Sequence, residues 1–199
     1  DMEYASSVGM VIKLLAIAKE ENGELELRVH PTMIPETHPL ANVYDSFNAV
    51  FINGNAVGDM MFYGRGAGSL PTGSAVVSDI ISILRNNVEV ENMQPVVKNN
   101  LWEMKIKDLK DVESRYYLRI TVSDKTGLLG DITTIFGANK VRLKSVIQKG
   151  VKQEENIDVT LVLITHSTTE GLIMDSIDRL YDLKTVKSID NIIRIEDFK

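Results

Sequence analysis

The alternation of apolar and polar positions changes period several times along this chain, and each change marks an element. Residues 1–7 read as a helix that starts further upstream. The apolar run Met10 to Lys19 fits a strand or a buried helix by period alone. Its sequel decides the matter. Glu21-Asn22-Gly23 is a turn signal, and beyond it Leu25, Leu27 and Val29 alternate with Glu26, Arg28 and His30, which predicts a β-hairpin. A second hairpin is predicted from Phe47 to Tyr63 around Asn53-Gly54-Asn55. The loop Gly64-Arg65-Gly66-Ala67-Gly68 follows, then a helix from Pro71 to Arg85 with proline at its first position, where the missing N–H costs nothing.

From Arg115 onward the pattern is cleaner. Tyr116, Leu118, Ile120 and Val122 mark a strand. Leu128, Leu129, Ile132, Ile135 and Phe136 form one stripe of a helix spanning Thr126 to Asn139. Strands are predicted at Val141–Val151 and Ile157–Thr165, joined through Lys149-Gly150 and Gln153 to Asn156. Ser167-Thr168-Thr169-Glu170 has capping-box spacing, with Ser167 as N-cap of a helix that turns Ile173, Ile177 and Leu180 inward. Val186–Ile195 is the last strand. The order βαββαβ is a ferredoxin-like unit with both helices on one sheet face, leaving the other face or an edge for a partner. The predicted class is α+β: a mixed or antiparallel sheet with helices over 1–85, a polar Asn-rich linker over 86–114 with Trp102 docking it, and the βαββαβ unit over 115–199.

Composition narrows the function. The chain has 199 residues, 44% hydrophobic and 25% charged, which suits one large globular domain or two small ones. The net charge of −6, with no basic stripe, argues against nucleic acid, whose phosphates dominate such binding. No run approaches the ~20 apolar residues of a membrane span. There is no cysteine, so disulfides and thiolate chemistry are excluded, and a reducing cytoplasm is the expected compartment. His30, His38 and His166 stand apart, without metal-ligand spacing, and are assigned surface or loop positions with no metal site. No nucleophile elbow or carboxylate pair stands out, so the chain carries no complete catalytic set.

Two segments could take a ligand. Gly64, Gly66 and Gly68 leave backbone that a ligand can approach without meeting a Cβ, although a tight strand-to-helix connection would use the same residues. The loop follows a hairpin and has the wrong spacing for a dinucleotide fingerprint. The turn Asp124-Lys125-Thr126-Gly127-Leu128-Leu129-Gly130 could receive the carboxylate of a small amino acid, or Asp124 or Thr126 could simply cap the next helix.

The run Met10 to Lys19, the segments Val29 to Pro35, His38-Pro39-Leu40-Ala41 and Phe47 to Phe51, and above all Met61-Phe62-Tyr63-Gly64-Arg65-Gly66-Ala67-Gly68-Ser69-Leu70-Pro71-Thr72-Gly73-Ser74 resemble homoserine dehydrogenases. From Asp111 onward the chain resembles the ACT domain appended to bacterial members. The resemblance implies an NAD- or NADP-dependent oxidoreductase interconverting L-homoserine and L-aspartate 4-semialdehyde, on the route to threonine and methionine. It implies that Gly68, with Gly66 and Ala67, lies against the nicotinamide cofactor. It also implies that Asp124, Gly127, Leu128 and Leu129 belong to an amino-acid effector site, for threonine, between paired modules of a homodimer or higher homo-oligomer. The family's nucleotide-binding domain and its catalytic lysine and acid would precede Asp1, so this chain alone is expected to be inactive. Thr126 stands where the ACT turn usually has proline, and Asn139-Lys140 replaces a glycine-containing turn, where Asn can occupy a left-handed position at some cost. The alternative is a stand-alone ACT-type amino-acid sensor whose first unit only dimerises.

Overall fold

The computed structural model describes residues 1–86, 104–149 and 158–198. The expectations for Trp102 and for the turns through Lys149-Gly150 and Gln153–Asn156 concern residues outside that set or at its margin. The elements in order are α1 (Met2–Ser7), β1 (Met10–Glu21), β2 (Glu24–Pro35), β3 (Phe47–Gly54), β4 (Gly58–Arg65), α2 (Ser69–Asn86), β5 (Lys105–Ile106), β6 (Glu113–Ser123), α3 (Leu128–Ala138), β7 (Leu143–Lys149), β8 (Asp158–Thr165), β9 (Thr168–Thr169), α4 (Glu170–Tyr181) and β10 (Val186–Ile195). The α+β class and both hairpins are present.

Backbone contacts gather these elements into two compact units, residues 1–36 with 104–199, and residues 37–103. The covalent division into 1–85, a linker 86–114 and 115–199 follows chain order, whereas the contacts follow strand pairing. In the larger unit the strands run β1-β2-β10-β6-β8-β7, with β5 beside β2 and β9 beside β6. The four strands β10-β6-β8-β7 are the antiparallel sheet of a βαββαβ fold. The first hairpin extends that sheet. β2 runs parallel to β10 over Thr32 and Met33, and Glu196 N–H donates to the Met33 carbonyl at 2.9 Å.

Strand pleat sends alternate residues to opposite faces. Tyr116, Leu118, Ile120 and Val122 of β6 and Leu161 and Leu163 of β8 are buried with Leu128, Ile132 and Phe136 of α3 and Ile173, Ile177 and Leu180 of α4. Each fully buried side chain of this size contributes roughly 1.5–3 kcal/mol. The intervening residues Tyr117, Val162, Ile164, Ile193 and Ile195 form a second core on the opposite face with Ala5, Met10 and Met33. The face expected to stay open is therefore covered here by α1 and the hairpin, and the β10 edge is closed by β2. The β7 edge remains at the end of the path, blunted by a register shift between Leu143 and Ser145 and by the exposed Lys144.

Local signals were displaced in several places. α3 begins at Leu128 behind Gly127, whose φ of 90° is left-handed, and neither Asp124 nor Thr126 caps it. Leu129 lies off the apolar stripe and is exposed. The left-handed residue after α3 is Lys140, at φ 61°, not Asn139, which is buried and donates to Ser176 Oγ at 3.1 Å. The N-cap of α4 is Thr169, accepting from Leu172 N–H, not Ser167. Glu170 is held by Tyr116 and Arg194 and so does not complete a capping box. α2 starts at Ser69, two residues before Pro71, still within the turn where an N–H has no helical acceptor.

Candidate functional site

The smaller unit presents the glycine loop. Phe47 of β3 and Tyr63 of β4 stack with ring centroids 4.8 Å apart, and the Arg65 guanidinium lies 4.6 Å above the Phe47 ring. Arg65 Nη1 also donates to Ser46 Oγ at 3.0 Å, and Gly66 N–H to the Ser46 carbonyl at 3.0 Å. These contacts hold the end of β4 beside the start of β3 and carry the chain outward. Gly66, Ala67 and Gly68 are exposed. A Cβ on Gly66 would stand 2.0 Å from Asn48 Nδ2, so any other residue there would have to turn the Asn48 side chain aside. Gly68 has φ 123°, a left-handed conformation costly for any other residue, and its carbonyl accepts from Thr72 N–H at 3.1 Å in the first turn of α2. Both glycines thus have a structural reason, and their effect is to keep an exposed stretch of peptide free of side chains.

That surface fits one wall of a nicotinamide pocket. It is polar backbone, it carries no Cβ at Gly66 or Gly68, and its single cation, Arg65, is engaged with Phe47 and Ser46. A bound nicotinamide would supply the hydride acceptor, and these residues would supply only a surface for it to lie against.

The second candidate, the turn from Asp124 to Leu129, lies between β6 and α3. Gly127 and Leu129 are exposed, Leu128 is buried in the core and Asp124 is half-buried. Leu128 N–H donates to the Lys125 carbonyl at 3.1 Å and Asp131 N–H to that of Gly127 at 3.0 Å. The four residues named for an effector thus share one turn, with Leu128 anchoring it and the others at its surface.

The histidines are more structured than expected. His30 lies within β2, not in a loop, with Nδ1 3.0 Å from Thr32 Oγ1 and a buried Nε2 that has no partner among the described atoms. Burial pushes its pKa down, as it does for His38, whose Nδ1 accepts from Leu40 N–H at 3.2 Å and whose ring meets Phe51 edge-on. Among the described residues no group of acids and histidines could hold a metal.

Sequence reasoning missed the buried charges of the larger unit. Arg28 contacts Glu26 at 2.6 Å, off the hydrogen-bond axis, and donates to Glu196 at 3.1 Å and to Ser114 Oγ at 3.0 Å. Lys19 adds a bond to Glu196 at 2.5 Å. Alternation of Glu26, Arg28 and His30 with apolar residues was the available signal, but it does not say which face is inside.

Comparison with known proteins finds similarity to one family. Residues 1–81 match the profile of the homoserine dehydrogenase family. The whole fold superposes on a homoserine dehydrogenase from Thiobacillus denitrificans with a TM-score of 0.86 and 36% identity, covering 100% of this chain and 45% of that one. The chain is similar to homoserine dehydrogenases. The Bacillus subtilis homoserine dehydrogenase is 34% identical over 98% of this chain, and that of Neisseria gonorrhoeae 38% over 98%. The Staphylococcus aureus homoserine dehydrogenase at pH 6.0 gives a TM-score of 0.59 at 27% identity. The chain spans 45% of the length of the Bacillus protein and 46% of the Neisseria protein. No helix among the described residues is long and apolar enough to cross a membrane.

Proposed function

We propose that this chain forms part of an NAD- or NADP-dependent homoserine dehydrogenase, interconverting L-homoserine and L-aspartate 4-semialdehyde in the cytoplasm. Similarity along the whole chain to homoserine dehydrogenases, at a TM-score of 0.86, carries the reading. Gly66, Ala67 and Gly68 form one side of the nicotinamide pocket. The βαββαβ unit is an ACT-type regulatory module, with Asp124, Gly127, Leu128 and Leu129 at a turn that receives an amino-acid effector, threonine. The assembly is a homodimer or higher homo-oligomer. Its support is the outward face of the first hairpin, where Leu14, Leu27 and Val29 are 74%, 52% and 73% exposed and so call for a cover.

A reaction that moves hydride needs cofactor and substrate held together by a complete site. This chain is read as supplying one wall of that site, so the chain alone should not turn over homoserine with NADP. The decisive experiment replaces the matching part of the Bacillus subtilis enzyme with this chain and follows NADPH formation from homoserine. Activity is expected, and a Gly68→Val change in the chimera should raise KM for NADP more than KM for homoserine. A folded but inactive chimera would remove the assignment. Threonine titrated by calorimetry tests the module separately, heat being expected with this chain and lost with Gly127→Val.

A further inference from the structure

We infer that the Asp1 carboxylate is a latch by which the βαββαβ sheet holds α1, and that Arg119 is its release point. Asp1 accepts from four donors on two strands: Tyr117 Oη at 2.7 Å, Arg119 Nε at 2.8 Å and Nη2 at 3.3 Å, and Asn191 Nδ2 at 2.8 Å. Asp1 makes no side-chain cap bond to α1. Its carboxylate therefore serves the sheet rather than the helix. Burial raises the Tyr117 pKa to about 12, so the phenol remains a donor at neutral pH. Ala5 follows one turn later and is fully buried on the same face with Met10 and Tyr117, so the polar clamp and the apolar contact seat the helix together.

The clamp is divided. Arg119 Nη1 also donates to Asp190 Oδ2 at 3.2 Å, the oxygen that accepts from Thr121 Oγ1 at 2.8 Å, while Ser188 Oγ donates to Asp190 Oδ1 at 2.5 Å. Asp190 has hydroxyl donors of its own and can take the whole guanidinium when Asp1 leaves. Two arrangements of one cation then correspond to α1 seated and α1 lifted. Asp190 and Arg119 lie on β10 and β6, and β6 ends two residues after Thr121 at the turn before α3.

The test is amide hydrogen exchange on the chain, read at Ala5, Val8 and Gly9 of the α1 segment and at Ile132 and Ile177 as internal references. Asp1→Ala and Arg119→Met should each speed exchange of the α1 amides about tenfold while the reference amides keep their protection. Asp190→Asn, which removes the competitor, should slow exchange in α1. Loss of protection with Asp1→Ala but not with Arg119→Met would mean that Asp1 acts on its own helix, and the latch would be wrong. Unchanged or faster α1 exchange in Asp190→Asn would remove the shared-cation step.

Discussion

Arg28 offers the sharpest test of how the first hairpin is held. Its side chain is 2% exposed, between Glu26 at 9% and Glu196 at 10%, with Ser114 Oγ as a third partner. Truncating one member of a buried charge set leaves the others uncompensated, at a cost of about 3–5 kcal/mol. Arg28→Ala would not strand both carboxylates equally. Glu196 keeps Lys19, 43% exposed, at 2.5 Å, whereas Glu26 loses the one cation the described residues give it. The lower end, about 3 kcal/mol, is therefore expected, corresponding to roughly 6–12 °C in Tm for a chain of this size. Urea unfolding followed by circular dichroism measures it. Replacing Glu26, Arg28 and Glu196 together by apolar residues of similar volume should recover most of the loss, because such replacements are often neutral or stabilising. A loss under about 1 kcal/mol for Arg28→Ala would show that water reaches these groups, and the buried-junction argument would fail.

Other changes probe other levels. Ile132→Ala, in a side chain fully buried between α3 and the sheet, should cost about 2–5 kcal/mol in the same unfolding assay. Thr169→Ala should cost about 0.5–1 kcal/mol and Ser167→Ala almost nothing, since only Thr169 accepts from a first-turn amide of α4. Tyr116→Phe removes the 2.7 Å bond to Glu170, leaving that carboxylate to Arg194, and should cost about 1.5–3 kcal/mol in chemical denaturation. His30 and His38 have pKa values below 6.5 in the folded state, so the unfolded chain binds more protons as pH falls through 6.5. Their contribution is fully present above that value and is lost toward the lower folded pKa. Urea titrations between pH 7.5 and 5 should show this decline, and His30→Gln with His38→Gln should flatten it.

Much of the fold could be read along the chain because its signals are local. Glycine turns between alternating segments marked both hairpins, and the helix stripes at Ile132, Phe136, Ile173 and Ile177 matched the buried set. What the chain order hid was partner choice. Nothing in Glu24–Pro35 says that it will lie parallel to Val186–Ile195, a pairing set by contacts over 160 residues apart. The capping box failed for a related reason. Glu170 had the right spacing from Ser167, but a buried tyrosine hydroxyl and a guanidinium from distant strands claimed its carboxylate. The glycine loop was legible as exposed backbone, while the packing of Asn48 against Gly66 needed the register of β3 against β4. The clamp on Asp1 had no sequence signal, since its donors come from residues 117, 119 and 191.

The first hairpin reverses the usual sense of an alternating strand. On β2 the charged residues Glu26 and Arg28 face inward, and Leu27 and Val29 face out. Opposite them on β1 lie Ala18 and Ala16, with Leu14 beside Pro31, so the outward face is apolar on both strands. A hairpin left in this state in water would gain stability by turning over, exposing its charges and burying its leucines. It is held by the bonds from Arg28 and Lys19 to Glu196 and by the short parallel pairing with β10, which fix the inward face before anything covers the outward one. The ionic junction thus specifies orientation more than it adds stability, and it presents an apolar surface to whatever packs there. Breaking it while leaving the apolar face intact should therefore weaken any assembly built on that face, without altering a single contacting residue.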